Sequence, residues 1–300
     1  MHENGYRSII RLAMAKLNPK QNFRDKLAQL TYLAFRIGLD FDASREFGRT
    51  TEIQLVESYM RIVFAVPNHC EYMRTGTPSE PISAEAAARP LNSRTNSLPL
   101  DQLAPTVLNV AFQQGFLAHG ERGELVARLL WTLAHDQVAR NDARPMGDAN
   151  GPTLSEAFET AYISFSHFMD AVDGFVDFDK VYWLLLRGAA LSCERNQQSI
   201  DFLTPILFGS PDSTPLSRSN TSVLQAQVKN RDTLESVFVD PNLVVSDHPV
   251  LSIVHELGSY KDLVECAPCI IAEDEVDRRH YQIISYGCSS NLLGVSEHHE

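Results

Sequence analysis

The chain has 300 residues, 44% of them hydrophobic, and a formal net charge of −12 at pH 7. This apolar content is near the globular average and suffices for one large domain or two ordinary ones. The acidic charge argues against a bare nucleic-acid coat protein, because phosphate binding needs clustered Lys and Arg. The sequence has neither a stretch of transmembrane length nor a signal-peptide core. We therefore expect an intracellular protein, cytoplasmic or nuclear, with no membrane partner.

Several common sites are not indicated by the sequence. The five cysteines are scattered and odd in number, which is typical of reduced intracellular thiols. Cys266 and Cys269 lack a second pair at zinc-site spacing, so two ordinary thiols are the favoured interpretation. His255 and Glu256 begin a zinc-protease pattern whose second His is missing, because residue 259 is Ser.

Apolar residues at a spacing near 3.6 predict helices through residues 7–65. One of these ends at Gly38, and another is predicted from Glu52 to Phe64. An alanine-rich helix follows the turn and cap residues that begin at Thr77. The polar, Pro-containing segment 90–103 is the best internal boundary. We thus predict a helical N-terminal region at 1–103 and a second domain at 104–292.

The second domain is predicted to begin with helices and to continue with strands. Gly123–Arg140 is strongly amphipathic, and Leu154–Val172 reads as another helix, so residues from about 141 to 186 form a helical insertion. Strands are predicted at 188–193, 199–208 and 221–230, with further strands near 236–245 and 250–257.

Polar residues on two of these strands suggest a metal site. Asp201 stands in an otherwise apolar strand, and Gln225, Gln227 and Lys229 alternate along the next one, so they share a face. Buried polar groups must be satisfied, and a divalent metal with its waters would satisfy them.

An Asp followed on the next strand by acid-or-Gln-x-Lys resembles the restriction-endonuclease-like superfamily, written PD-(D/E)XK. Asp201 matches the family's Asp, Gln227 stands where a Glu is usual, and Lys229 matches the Lys. The family also has a Glu on a helix before the strands, which Glu124 in RGELVARLL resembles. The resemblance implies an α/β (α+β) fold with a mixed central sheet flanked by helices, preceded here by the helical N-terminal region.

The resemblance also implies a metal-dependent nuclease that hydrolyses phosphodiester bonds, with DNA as the expected substrate. Asp201, Gln227 and Glu124 would bind Mg²⁺ or Mn²⁺, and the Val228 carbonyl would join them. Lys229 would orient the attacking water or stabilise the transition state. Basic side chains near these residues would contact phosphate: Arg187, Arg195 and Arg231. Because Gln lacks the charge of Glu, we expect weakened metal binding and activity.

A narrower resemblance links the segments TPSEPISAEAA, RGELVARLL and IDFLTPI…QVKN to fungal Crinkler-type effector proteins, in which an endonuclease-like module accompanies a P-loop NTPase. This resemblance implies an NTPase partner on a separate or longer chain and action on DNA in a nucleus.

Simpler interpretations of the same residues stand beside the nuclease hypothesis. Asp201 could be a strand-edge acid that pairs with Arg195 or Arg187, and Gln227 with Lys229 could form a solvated strand face. Glu124 could be a first-turn acid or the partner of Arg128. The whole domain could then be a catalytically degenerate endonuclease fold that serves as an interaction module.

Overall fold

The computed structural model describes residues 3–68, 73–92, 103–117, 121–140, 154–171, 178–194, 197, 199–231, 235–243, 246–258, 269–271 and 280–286. Contacts divide these residues into two compact units. The first unit comprises Met1–Leu133 with Ser166–Phe168, and the second comprises Ala134–Phe165 with Met169–Leu292. None of the helices in the described ranges is long and apolar enough to cross a membrane.

The helices follow the apolar periodicity of the sequence. Their bounds are α1 Glu3–Leu17, α2 Lys26–Ile37, α3 Glu46–Ser58, α4 Pro81–Leu91, α5 Leu103–Gln113, α6 Arg122–Arg140, α7 Leu154–Ala157 and α8 Phe178–Arg187. In the first unit, α2 is buried along most of its length and packs against α1, α4 and α5. Tyr32, Leu33 and Ile37 of α2 are almost completely buried in this core.

The first unit also contains a small antiparallel hairpin of β1 (Ile62–Ala65) and β2 (Arg74–Gly76). All four residues of β1 are exposed although they are apolar. The helix predicted from Glu52 to Phe64 ends at Ser58, so the prediction is wrong for the residues that follow. The left-handed backbone of Met60 (φ 61°) follows the end of α3, and β-branched Ile62 and Val63 then favour an extended chain.

The second unit contains most of a mixed sheet in which seven strands are described. Their bounds are β3 Ala161–Tyr162, β4 His167–Asp170, β5 Ala189–Ser192, β6 Phe202–Phe208, β7 Thr221–Lys229, β9 Val250–Glu256 and β11 His280–Tyr286. The order is β11-β9-β7-β6-β5-β4, and β3 pairs with β6. β8 (Val237–Val239) and β10 (Cys269–Ile271) form a separate parallel pair.

Strand direction changes at the centre of the sheet. β6 is antiparallel to both β5 and β7, whereas β7, β9 and β11 run parallel. β7 therefore lies between an antiparallel and a parallel neighbour, and eight of its nine residues are buried. The start of β6 consequently lies beside the end of β7, since antiparallel neighbours run in opposite directions.

The predicted class is confirmed: the fold is α+β, with a mixed sheet, flanking helices and a helical N-terminal region. The three strands predicted near 188–193, 199–208 and 221–230 are β5, β6 and β7. The helix predicted over Leu154–Val172 is wrong, because only Leu154–Ala157 is helical and β3 and β4 follow. The run AYISFSHFM is rich in aromatic residues, which favour strands, and both of its ends pair in the sheet.

α2 begins at a capping carboxylate that also anchors the following helix. Asp25 Oδ1 accepts the Leu27 N–H at 2.9 Å, and Oδ2 accepts the Tyr59 hydroxyl at 2.8 Å. Burial acts to raise the pKa of Asp25, but these hydrogen bonds and the Lys20 charge outweigh it and hold the pKa below the ordinary 3.8. Burial and the Asp25 hydrogen bond raise the pKa of Tyr59 to about 12.

We expect Asp25→Ala to lower the free energy of unfolding of the first unit by about 2 kcal/mol, since a cap and a buried hydrogen bond are lost together. Asp25→Asn keeps a capping oxygen and should cost less. Each unit contains one tryptophan, Trp131 and Trp183, so urea unfolding followed by Trp131 fluorescence in a Trp183→Phe background measures this unit alone.

The stabilisation that Asp25 contributes should depend on pH. Because the folded-state pKa of Asp25 is depressed, its stabilisation is present above the unfolded pKa near 3.8 and is lost as pH falls through the folded pKa. The difference between wild type and Asp25→Ala should therefore shrink below pH 4. An unchanged difference would contradict this role for the carboxylate.

Candidate functional site

Asp201 lies immediately before β6, beside the last residues of β7. Its N–H donates to the Ala226 carbonyl at 2.8 Å, and its carbonyl accepts the Cys193 N–H at 2.8 Å. Its backbone therefore already pairs with both neighbouring strands. Its side chain contacts β7 as well, because Oδ2 accepts the Val228 N–H at 2.5 Å. The carboxylate thus binds the backbone N–H of Val228, the residue between Gln227 and Lys229.

The chain turns sharply just before Asp201. Ser199 has a left-handed backbone with φ of 69°, which costs a residue with a side chain about 1–2 kcal/mol. Ser199 is only 4% exposed, and its hydroxyl has no hydrogen-bond partner among the described residues. Strained residues of this kind persist where the surrounding structure fixes them. The position of Asp201 is consequently set by the entry into β6 and by the Val228 hydrogen bond together.

Gln227 is buried, with 6% of its surface exposed. Its amide is satisfied when Nε2 donates to the Phe238 carbonyl at 3.2 Å and Oε1 accepts from Lys229 Nζ at 3.1 Å. The interpretation of Gln227 as part of a solvated strand face is therefore wrong. Gln227 and Lys229 do share a face, as their alternation predicted, and the amide oxygen holds the ammonium group in place.

A buried ion pair closes the end of the same face. Glu256 of β9 stands opposite Lys229 in the parallel register and is completely buried. Arg231 binds it through two bonds, Nη2 to Oε1 at 2.6 Å and Nε to Oε2 at 3.3 Å. Arg231 also donates to the Glu235 carbonyl at 2.6 Å. Arg231, predicted as a phosphate contact, is thus held by carboxylates in this arrangement.

A second hydrogen-bonded chain runs across three strands of this face. Gln225 Nε2 donates to Ser252 Oγ at 2.7 Å and to the Asp240 carbonyl at 3.3 Å. Ser252 Oγ is also 2.7 Å from His280 Nε2. Sequence reasoning missed Ser252 and His280 and considered Glu256 only as part of a zinc-protease pattern, although the polar residues within the apolar strand VLSIVHE were a signal for Ser252 and Glu256.

His255 points to the opposite face from Glu256, since neighbouring residues of a strand alternate. It is buried, its Nδ1 lies 2.8 Å from Ser285 Oγ, and burial lowers its pKa to about 4. The pair that resembled a zinc-protease start therefore lies on a strand, with its two side chains on different sides of the sheet.

The remaining predicted site residues have different settings. Glu124 belongs to the first unit, whereas Asp201, Gln227 and Lys229 belong to the second. Its carboxylate lies 4.0 Å from Arg128, as the simpler interpretation proposed. Arg187 is the exposed last residue of α8, and Arg195 lies outside the described residues.

Within the described ranges, no group of three or more His, Cys, Asp or Glu side chains is placed to hold a metal ion. A family model described as "Domain of unknown function (DUF8736)" matches residues 18–287. The chain belongs to this family. Comparison with curated proteins found no match, and comparison with solved structures found none either.

The match in this family covers all of the residues that form the site. It includes Asp201, Gln227 and Lys229 together with the Arg231–Glu256 pair, and it begins at Asn18 in the first unit. Family membership therefore applies to both units, while the family's description assigns no activity to either.

The Arg231–Glu256 pair yields a stability prediction. Arg231→Met leaves the Glu256 carboxylate buried without its guanidinium partner, so we expect a loss of about 3 kcal/mol. The double variant Arg231→Met/Glu256→Gln removes the charge as well and should recover at least about 1 kcal/mol of that loss. Urea unfolding followed by Trp183 fluorescence in a Trp131→Phe background checks both. A double variant less stable than Arg231→Met would show that the unpaired charge of Glu256 does not cause the loss of stability.

Proposed function

We propose that the second unit is the core of a metal-dependent nuclease, in which Asp201, Gln227 and Lys229 form the reactive group. The observation that carries this proposal is the hydrogen bond from the Val228 N–H to the Asp201 carboxylate, because Gln227 and Lys229 are the residues that flank Val228 on β7. A carboxylate, an amide oxygen and a lysine thus occupy one end of two neighbouring strands. These are the residue types and the strand positions on which the PD-(D/E)XK resemblance rested.

The donor chemistry suits a hard cation. The Asp201 carboxylate, the Gln227 amide oxygen and the Val228 carbonyl are all oxygen ligands, which Mg²⁺ and Mn²⁺ prefer. When bound, such an ion supplies charge neutralisation at a phosphate and activates water. The Gln227 oxygen accepts from Lys229 in the absence of metal, so metal binding would require the lysine to release it. Lys229 would then be free to contact an anionic substrate.

A specific observation favours a second candidate function, an interaction module built on a degenerate nuclease fold. Gln227 is neutral where an acid would bind metal, it is 6% exposed, and both ends of its amide are already bonded. This arrangement stabilises the sheet without any ligand. Four points stay predictions: the participation of Glu124, the relationship to Crinkler-type proteins, a separate NTPase partner, and DNA in a nucleus as the target.

We expect the purified full chain to cleave supercoiled plasmid DNA in the presence of Mg²⁺ or Mn²⁺ but not of EDTA. Lys229→Ala should lower the rate at least about 100-fold, because a charge that stabilises the transition state is lost. Lys180→Ala removes the same charge from α8 and serves as the matched control. Loss of cleavage with an unchanged circular dichroism spectrum and melting temperature supports the proposal. A wild type without cleavage or metal-dependent thermal shift favours the interaction module.

Restoring an acid at position 227 offers a second test. Gln227→Glu adds one negative charge to the ligand set, so Mn²⁺ should bind at least about tenfold more tightly, and cleavage should rise with it. Gln225→Glu makes the same change two residues earlier on β7, where the amide bonds Ser252 instead. Mn²⁺ titration followed by electron paramagnetic resonance compares the two. Equal effects of both substitutions would rule out a specific site at position 227.

A further inference from the structure

A serine and a histidine of the first unit form a contact that has no part in the proposed nuclease site. Ser79 lies two residues before α4, and its Oγ is 2.8 Å from Nε2 of His167. Both residues belong to the first unit, which includes Ser166–Phe168. A hydroxyl group about 2.6–3.2 Å from an imidazole nitrogen has the geometry of a nucleophile beside its general base.

The second nitrogen of the same imidazole ring also has a partner. His167 Nδ1 lies 2.9 Å from Ser166 Oγ. When Nδ1 carries the proton and donates it to Ser166, Nε2 keeps a lone pair that accepts the Ser79 hydroxyl. His167 is 2% exposed, so the surrounding residues hold its ring in place. Ser166 thus occupies the place that a carboxylate occupies in a Ser-His-Asp triad.

Exposure distinguishes Ser79 from other serines that contact a histidine. Ser252 and Ser285 also lie beside imidazole nitrogens, but both serines are buried within the sheet. No substrate could reach their hydroxyl groups in the folded protein. Ser79 is only half-buried, so part of its surface is accessible to solvent. The pair of Ser79 and His167 therefore combines an accessible hydroxyl with a buried base.

The start of α4 supplies hydrogen-bond donors close to Ser79 in the chain. The first bond of this helix runs from the Ala84 N–H to the Glu80 carbonyl at 2.9 Å. The N–H groups of Ile82 and Ser83 therefore have no partner within the helix, and the Glu80 side chain does not cap them. Donors at the positive end of a helix dipole stabilise the oxyanion that develops when a hydroxyl group attacks a carbonyl carbon.

Exposed apolar side chains lie near Ser79. The Phe64 ring is 65% exposed and packs against Gly76, where a Cβ atom would meet its Cε2 at 2.6 Å. Ile82 is 40% exposed. Gly76 and Ile82 are each three residues from Ser79, and three residues span at most about 11 Å. An apolar acyl chain attached at Ser79 would therefore find apolar surface within a short distance.

We propose that the first unit hydrolyses small carboxylic esters with an apolar acyl chain, with Ser79 as the nucleophile and His167 as the general base. Ser79 Oγ attacks the ester carbonyl carbon while its proton passes to His167 Nε2. The bond to the alcohol then breaks, the alcohol takes that proton, and the acyl group stays on Ser79. Water next attacks the acyl group and gives a proton to Nε2, which returns it to Ser79 Oγ as the carboxylic acid leaves. The free N–H groups of α4 bind the oxyanion, and Ser166 is a positioning residue that orients the imidazole.

Covalent labelling of the wild-type full chain tests the nucleophile without any substitution. An alkyl fluorophosphonate reacts with an activated serine, whose Oγ displaces fluoride from phosphorus. We expect one label per chain, and peptide mass spectrometry should locate it at Ser79. Protein that is first denatured in urea should not be labelled, because the contact with His167 is then lost. A label on another residue, or no label on the folded chain, overturns the proposal.

Hydrolysis of p-nitrophenyl butyrate, followed by the absorbance of p-nitrophenolate, tests the activity. Ser79→Ala and His167→Gln should each lower kcat/KM at least about 100-fold at an unchanged circular dichroism spectrum, because the nucleophile or its base is lost. Ser285→Ala removes a hydroxyl group from another contact with a histidine and should stay within about twofold of wild type, since it is independent of Ser79. EDTA should leave the rate unchanged, which separates this activity from that of the proposed nuclease. A folded Ser79→Ala that still hydrolyses the ester, or an equal loss in Ser285→Ala, overturns the proposal.

Two comparisons test the acyl chain and the positioning residue. The butyrate ester has two more methylene groups than the acetate ester, so its kcat/KM should be about tenfold higher. Ser166→Ala should lower kcat about tenfold without changing KM, and Ser166→Thr, which keeps the hydroxyl group, should restore it. Equal rates for the two esters would overturn the apolar acyl chain, and an unchanged kcat in Ser166→Ala would overturn the role of Ser166.

Discussion

Polar and charged side chains on the buried face of β7 and β9 must satisfy one another, and the arrangement of the second unit depends on this constraint. A completely buried carboxylate such as Glu256 is tolerated only with a partner of opposite charge at close range. Arg231 supplies that partner from just beyond the end of β7. The parallel register of β7 and β9 is therefore fixed by charge as well as by apolar packing, because a slip of one residue would turn Glu256 to the other face.

The same constraint explains the chemistry that the site offers. A glutamate at position 227 would bring a third carboxylate to this end of the sheet, in addition to those of Asp201 and Glu256. A glutamine is neutral, donates to the Phe238 carbonyl and still presents an oxygen to Lys229. Gln227 thereby satisfies the Phe238 carbonyl and the Lys229 ammonium group without a ligand, although a neutral side chain would attract a cation less than a carboxylate would. A neutral side chain at position 227 thus favours stability without a ligand, whereas an acidic side chain at the same position would favour cation binding.

Much of the fold follows from sequence patterns, and the misses have physical causes. β5, β6 and β7 were predictable because short apolar runs are separated by turn residues. β3, β4 and most of β1 were assigned to helices, since apolar spacing over a few residues does not distinguish a helix from a strand. Within the site, alternation predicted that Gln227 and Lys229 share a face. It could not predict Glu256 and Arg231 as a pair, because their contact depends on the pairing of strands distant in sequence.

His255, on the face of β9 opposite to Glu256, makes the stability of the fold depend on pH. With a pKa of about 4 in the folded chain and an ordinary value of 6.5, His255 takes up a proton more readily when the protein is unfolded. Between these two values every step toward acid shifts the equilibrium toward the unfolded state, by roughly 1 kcal/mol per pH unit. His255 also contacts Ser285 of the neighbouring strand β11 through Nδ1. Mild acid should accordingly lower the stability of the sheet to which β9 and β11 belong.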